Sequence, residues 1–559
     1  MNELTDFDIV IIGSGPGGGT CAWALSSYGY RVLVLEAGPA YDPHTDYMLD
    51  KPEWEQFKFP DRAHYKGHYA YGMMQKLESR WDKLRSWNHI HGRFNKTDRR
   101  DISGYHHMRG IGGSTLTFSG EAHRLRSDSM KMKSRFGVAA DWPIDYRELE
   151  PYYCIAEQVI GVAGPDNDPI RFRSKPLPLP AHQHSYSNMR IIDGFRKLGM
   201  NMVQNSVAIL SKPYDNRPDC NYCANCNRGC PRQDKGSVDV TFMKKAVDSG
   251  FCTVRTDCQV TRLEAGSYDT ISEVQYVDNK GNTNTVSGKV VIVSCGAVET
   301  PRLLMLSENR HAPDGPGNEY GQVGRHFMET VSWVSSGLHP EPLGSFRGIS
   351  SDSICWDYNA PDAITGVIGG CRFAIAASEA ELVGPINYAQ RVVKGWGRAH
   401  KEAMRRSFGK VLTVSSICES LPHDQTFIDL APDEKDSLGQ PVARIHSYVD
   451  DMALRRLEFS ADTIREALHA SGVEEIFEEY GTYDFFSSTH VFGTCRMGDD
   501  HRESVVDRFC RSHRWKNLFI VDASVFPSTG GGESPSLTIE ALAIRTSEYI
   551  SDMAKKGEL

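Results

Sequence analysis

No stretch of the 559-residue chain approaches the roughly 18 to 20 consecutive apolar residues of a membrane span, and its greasiest runs, DIVIIG at 8–13 and VVIVS at 290–294, have the length of strands. The expectation is a soluble protein. A basic block is missing too: 63 Lys and Arg against 72 Asp and Glu leave a formal charge of −9, which gives no electrostatic footprint for nucleic acid or anionic lipid and suits a small or neutral substrate. The first residues, MNELTDFDIVIIG, lack the charged start, apolar middle and small-residue cleavage site of a secretory signal, so a cytoplasmic location is expected. Neither internal repeats nor low-complexity tracts occur. The length exceeds what one hydrophobic core holds, which excludes a small binding module and leaves two or three domains or one large α/β body.

What is present begins at the amino terminus. FDIVIIG, SGPGGG, TCAWALSSYGY and RVLVLEAG read as strand, glycine-rich turn, helix and strand, one βαβ unit. Gly13, Gly15 and Gly18 form G-x-G-x-x-G, in which glycines permit a tight turn and close backbone approach while the helix start offers free N–H groups to a pyrophosphate. Glu36 ends the second strand about 20 residues on, where a carboxylate can bind ribose hydroxyls. This unit alone leaves NAD and FAD open. Three later segments extend the pattern. HMRGIGGSTLTFSG at 107–120 is a second glycine loop, VVIVSCGAVETPRLLML at 290–306 is a buried strand, a turn and a helix with Pro301 in its first turn, and 517–550 is a strand ending in Asp522, a glycine-rich bend and a long helix.

Ten of the fourteen cysteines are scattered, mostly in apolar surroundings where a thiol packs as a small hydrophobe. The other four, Cys220, Cys223, Cys226 and Cys230, form C-x2-C-x2-C-x3-C-P, the spacing of iron–sulfur ligation in bacterial ferredoxins. Structural zinc and unmetallated thiols are the competing readings. Residues 53–105, rich in Trp, Tyr, His and Lys without a clean period, read either as a surface excursion packed by its own aromatics or as a lid over a substrate mouth.

GSGPGGG with LEAG, RGIGGST, GAVETPRLL, HVFGTCRMG and VDASVFPS…SPSLTIEALAIR occur in an order and spacing that resembles the glucose-methanol-choline family of FAD oxidoreductases, from near residue 5 to near residue 550. The resemblance implies an α/β architecture: a Rossmann-like FAD domain from 1–330 and 485–559, and a substrate domain with an antiparallel sheet at 331–484. It implies FAD contacts at Gly13, Gly15, Gly18, Glu36, Arg109, Gly112, Gly113, Ser114, Val260, Gly296, Ala297 and Asp522. His490, which opens HVFGTCRMG, becomes the base that takes the hydroxyl proton, a task suited to imidazole. The family's second His or Asn before the last helix is absent; Ser534 stands there with Glu533 beside it, the serine hydroxyl able to donate to or accept from the substrate oxygen and the glutamate able to act as a second base. Sugar dehydrogenases of the family carry a 3Fe-4S cluster on a C-x5-C-x3-C-P pattern that Cys220, Cys226 and Cys230 match, with Cys223 as an extra thiol or the fourth ligand of a 4Fe-4S cluster.

The resulting expectation is a dehydrogenase acting on a CH–OH group of a sugar, polyol or other alcohol, passing hydride to FAD and then single electrons to an iron–sulfur cluster. Cluster-bearing relatives add a small subunit with an export signal and a cytochrome acceptor, which makes a periplasmic location the alternative. An oxygen-reducing oxidase, a redox-silent lyase on the same fold and a non-catalytic electron-transfer subunit are the competing functions.

Overall fold

A computed structural model describes residues 7–57, 59–60, 67–165, 167–376 and 382–558. The amino-terminal six residues, on which the reading of the signal partly rests, and part of the 53–105 segment lie outside them.

Five parallel strands make the first sheet, in the order Cys252–Arg255, Val32–Leu35, Phe7–Ile12, Gly288–Val293, Leu518–Ile520. Ile9 faces Val32 on one side and Val290 on the other. Val10, Ile11, Val32, Leu33, Val34, Leu35 and Ile292 are all buried, as a parallel sheet covered on both faces requires. Helix Pro16–Ser27 covers one face and packs along the last helix, Ser536–Lys556, so the two ends of the chain close one core. The βαβ unit and the late return of the chain to it are as the sequence predicts.

Helix Gly296–Leu306 differs from expectation in one detail. It starts at Gly296, which puts Pro301 in the second turn rather than the first. Proline has no N–H to give the Ala297 carbonyl four residues back. That carbonyl instead accepts a hydrogen bond from Thr494 Oγ1 at 2.7 Å. The threonine of HVFGT therefore supplies what the proline of GAVETP withholds, and ties the segment carrying His490 to the cofactor sheet.

The second sheet has eight antiparallel strands, with Val331–Leu338 paired to Val411–Cys418 over its whole length and to Glu475–Gly481 on the other side. Its central strands fall within 331–484, but short outer strands come from Trp87–Asn88, Gly92–Arg93 and Met202–Gln204. The chain thus crosses the expected boundary at the sheet's two edges. Side chains alternate along Val331–Leu338: Trp333 joins Leu457 and Ile464 of helix Asp451–Ala470 in a second core, whereas Ser332 and Val334 face a cavity between the two sheets. Among the described residues, no helix is long and apolar enough to cross a membrane.

Candidate active site

The cavity has a volume of about 1000 Å³, at the top of the range for a ligand site and enough for a dinucleotide with a small substrate. Gly13, Gly15, Glu36, Arg109, Gly113, Ser114, Val260, Gly296, Ala297, Asp522, His490 and Ser534 all line it. Gly18 and Gly112 do not; they shape its wall from behind. Gly18 lies against the Gly13 carbonyl, and the Gly112 N–H donates to the Ser14 carbonyl.

Two glycine loops meet at one end of the cavity. A Cβ on Gly113 would fall 2.9 Å from Gly15 Cα, so side chains are barred where the loops touch. Helix Pro16–Ser27 begins there with Gly15 at its cap and no side chain bonded to its first N–H groups. An uncapped helix start lined by glycine is an anion cradle. Glu36 holds it together: its carboxylate accepts from Ser14 N (3.0 Å), Ser14 Oγ (2.7 Å), Gly38 N (2.9 Å) and Gly110 N (3.0 Å). Those four donors fill a carboxylate's acceptor sites, so a ribose hydroxyl reaches Glu36 only by displacing the Ser14 hydroxyl. Farther along, the buried Glu299 Oε1 lines the same cavity and has no hydrogen-bond partner among the described residues. Asp522 closes the cradle, accepting from Gly296 N (2.9 Å) and Thr300 Oγ1 (2.6 Å). These features fit a pyrophosphate with polar arms on either side.

At the other end stand His490 and Ser534. The His490 backbone is fixed by Thr330, whose Oγ1 accepts from His490 N (3.1 Å) and donates to His490 O (2.9 Å). Its imidazole makes no hydrogen bond among the described residues. Burial and the Arg372 guanidinium push its pKa down to about 4, against the opposing pull of Glu121. The ring is therefore neutral at pH 7 and able to accept a proton. Around it the wall is rich in hydroxyls: Thr330, Ser332, Ser415, Tyr480, Thr482 and Ser487.

Glu533, expected as a second base, is not part of this wall. Its Oε1 accepts from Arg171 (2.8 Å) and Asn359 (3.1 Å), and its side chain is wholly buried. The adjacent Ser534 points the other way and donates through Oγ to Glu121 Oε2 at 2.9 Å. Glu121 is a residue the sequence reading missed. It lines the cavity, pairs with Arg372 and accepts from Asn205. Burial raises a carboxyl's pKa, but Arg372, His123 and the Ser534 bond outweigh it and bring Glu121 to about 2. The only signal in the sequence is its position directly after the second glycine loop.

The expected four-cysteine ligand set is not assembled. Cys220 and Cys226 are buried, Cys223 is exposed and Cys230 lies between. Among the described residues, no three His, Cys, Asp or Glu side chains gather to hold a metal ion. The Cys230 thiol donates to Asp234 Oδ1 (3.3 Å), and Cys220 Sγ accepts from Tyr222 N (3.3 Å). Burial, with the Asp234 charge, pushes Cys230 up to about 12, and Cys220 also rises. The neighbouring cation, Lys235, bonds the carbonyls of Leu116, Phe118 and Cys226, and its charge pulls the Cys226 and Cys230 thiols down without overcoming their burial. As placed, the four thiols are protonated and do not converge on one point, so they do not fit a cluster in this arrangement.

A Rossmann-type sheet with a glycine cradle, opening into a cavity walled by an antiparallel sheet and ending at a neutral histidine, defines a dinucleotide-cofactor oxidoreductase. The chain belongs to the GMC oxidoreductase family, whose models match residues 109–330 and 422–543, while a model for an NAD(P)-binding Rossmann-like domain matches 11–41. It is accordingly an FAD-dependent oxidoreductase. It is 27% identical to 2-methyl-1,2-propanediol dehydrogenase of Mycolicibacterium austroafricanum over 97% of this chain and 95% of that one. It is also 27% identical to the fructose dehydrogenase large subunit of Gluconobacter japonicus, over 100% of both. Among solved structures it shares the fold of pyridoxine 4-oxidase from Mesorbium loti, with a TM-score of 0.65 at 18% identity over 98% and 99% of the two chains.

Proposed function

We propose that the protein oxidises a CH–OH group of a neutral alcohol, polyol or sugar, with His490 as the base. The observation that carries this is the neutral imidazole, without a hydrogen-bond partner among the described residues, in the same cavity as the glycine cradle. The cradle of Gly13, Gly15 and Gly113, with Asp522, would hold FAD, which supplies the hydride acceptor. The chain's own part is then positional and protolytic. The hydroxyl wall orients the carbinol, His490 takes its proton, and the proton leaves the ring to solvent after the ketone or aldehyde departs. The likeness to proteins named as a diol dehydrogenase and a fructose dehydrogenase subunit supports the substrate class and a dehydrogenase, while relatives named as oxidases, at 27% and 26% identity, make an oxygen-reducing enzyme the second reading. Anaerobic mixing with alcohols followed by exposure to air tests both points: flavin bleaching shows oxidation of the alcohol, and slow recovery of colour in air marks a dehydrogenase. Failure of every alcohol to bleach the flavin would discard the reading in favour of a lyase.

Electron exit turns on the cysteine loop. Ligation would require the four sulfurs to converge and Asp234 to release the Cys230 thiol. Iron and sulfide analysis of anaerobically purified protein decides. Flavin bands without iron leave direct exit from the flavin, whereas roughly three or four irons per flavin would mean that the loop closes around metal. In the latter case Cys223→Ser separates the two cluster types, harmless for a three-thiolate site and damaging for a four-thiolate one.

A further inference from the structure

Ser534 stands where the family resemblance expects an amide or imidazole that can give a proton to the substrate oxygen. Here neither of its donors is available. The Ser534 backbone N–H goes to His123 Nδ1 at 3.2 Å, and its hydroxyl proton goes to Glu121 Oε2 at 2.9 Å. Both acceptors are held in the state that takes those protons. Glu121 stays ionised against Arg372, which also anchors to the Gly532 carbonyl (2.7 Å). His123 stays neutral, pushed by burial down to about 3, and its other nitrogen bonds Asn205 Oδ1 at 2.9 Å. What Ser534 presents to the cavity is therefore lone pairs alone.

The base at His490 is also an acceptor. A simple carbinol has one O–H and cannot satisfy two acceptors, and an acceptor buried against a substrate without a donor is costly. We infer that the site selects a vicinal diol unit: the hydroxyl being oxidised gives its proton to His490, and the neighbouring hydroxyl donates to Ser534 Oγ, with Glu121 as the positioning residue that keeps Ser534 an acceptor. The Glu121 charge is balanced by Arg372, so the second donor is a neutral hydroxyl rather than an ammonium. This rests on the proposed alcohol oxidation and names its substrate class more closely.

The test uses the FAD-loaded enzyme and pairs of substrates that differ by one hydroxyl. Anaerobic flavin reduction by propane-1,2-diol should have a kcat/KM at least about tenfold above that for propan-1-ol or propan-2-ol, because a site built around a hydroxyl discriminates strongly against its absence. Ser534→Ala should bring the ratio close to one. Glu121→Ala, which removes the acceptor of the serine proton, should do the same; since it also leaves Arg372 without its partner, Ser534→Ala is the variant that keeps the ion pair. Binding gives a readout without turnover. The tertiary diol 2,3-dimethylbutane-2,3-diol cannot be oxidised, and it should raise the melting temperature of wild type but not of Ser534→Ala, while tert-butanol should do neither. Flavin reduced equally well by diol and mono-alcohol would overturn the inference, as would a Ser534→Ala protein that keeps the preference. If no alcohol reduces the flavin, the proposed reaction fails, and the tertiary diol still decides whether the two-hydroxyl site exists.

Discussion

Replacing His490 by alanine is expected to slow flavin reduction by alcohol about 10²- to 10⁴-fold, the usual cost of removing a general base, with FAD still bound. The side chain lines the cavity away from the glycine cradle, and its backbone is held by Thr330, so the substitution removes the ring without disturbing either sheet. The pH profile of the wild type provides a second check. Protonated imidazole cannot accept a proton, and His490 has its pKa lowered to about 4 by burial and Arg372. Reduction should therefore be flat above about pH 5 and fall about tenfold per unit below about pH 4. The neighbouring charges fix the direction of change in variants. Glu121 favours the protonated ring and Arg372 disfavours it, so Glu121→Gln should move the acid limb to still lower pH. A His490→Ala protein that reduces its flavin at the wild-type rate would remove the base from this residue.

The glycine fingerprint was legible in the sequence because backbone approach is a local constraint: a strand, a turn and a helix must meet within a few residues of one another. The contents of the site were less so. Glu36 stands where the spacing places it, yet four donors from the loops occupy its oxygens, a state that depends on Gly110 packing beside it from far along the chain. Glu121 and Arg372 lie 251 positions apart and meet only when the antiparallel sheet closes over the second glycine loop. Adjacent Glu533 and Ser534 carry equal weight in the sequence, but the bend sends the carboxylate to Arg171 and the hydroxyl into the cavity. The cysteine spacing gives proximity along the chain, and the fold keeps Cys220 and Cys226 in one buried cluster, but with Cys223 exposed and Cys230 bonded to Asp234 the four do not form a ligand set. The threonine of HVFGT needed the proline of GAVETP to explain it, and neither motif alone reveals the bond between them.

Gly17→Ala and Gly18→Ala should each abolish FAD binding. A Cβ on Gly17 would sit 1.7 Å from the Val521 carbonyl oxygen, and one on Gly18 would sit 2.0 Å from the Gly13 carbonyl oxygen. Both obstacles are backbone, so relief requires the helix to back away from the sheet. At Gly17 the displaced group is the strand end before Asp522, whose carboxylate clamps Gly296 and Thr300; at Gly18 it is the turn that carries the cradle. Either shift opens the site where the pyrophosphate would meet N–H groups, and overpacking of this kind costs roughly 1 to 3 kcal/mol, more where backbone must move. Flavin content, read as the ratio of flavin to protein absorbance, should approach zero, and the melting temperature should fall. Gly29→Ala is the control. Gly29 has φ +87 with nothing within 4 Å of an added Cβ, so its cost is backbone strain of roughly 1 to 2 kcal/mol alone, and flavin should be retained. Wild-type flavin content in Gly17→Ala would mean that the helix start does not hold the cofactor, since no arrangement that keeps the Val521 carbonyl in place can accommodate the methyl group.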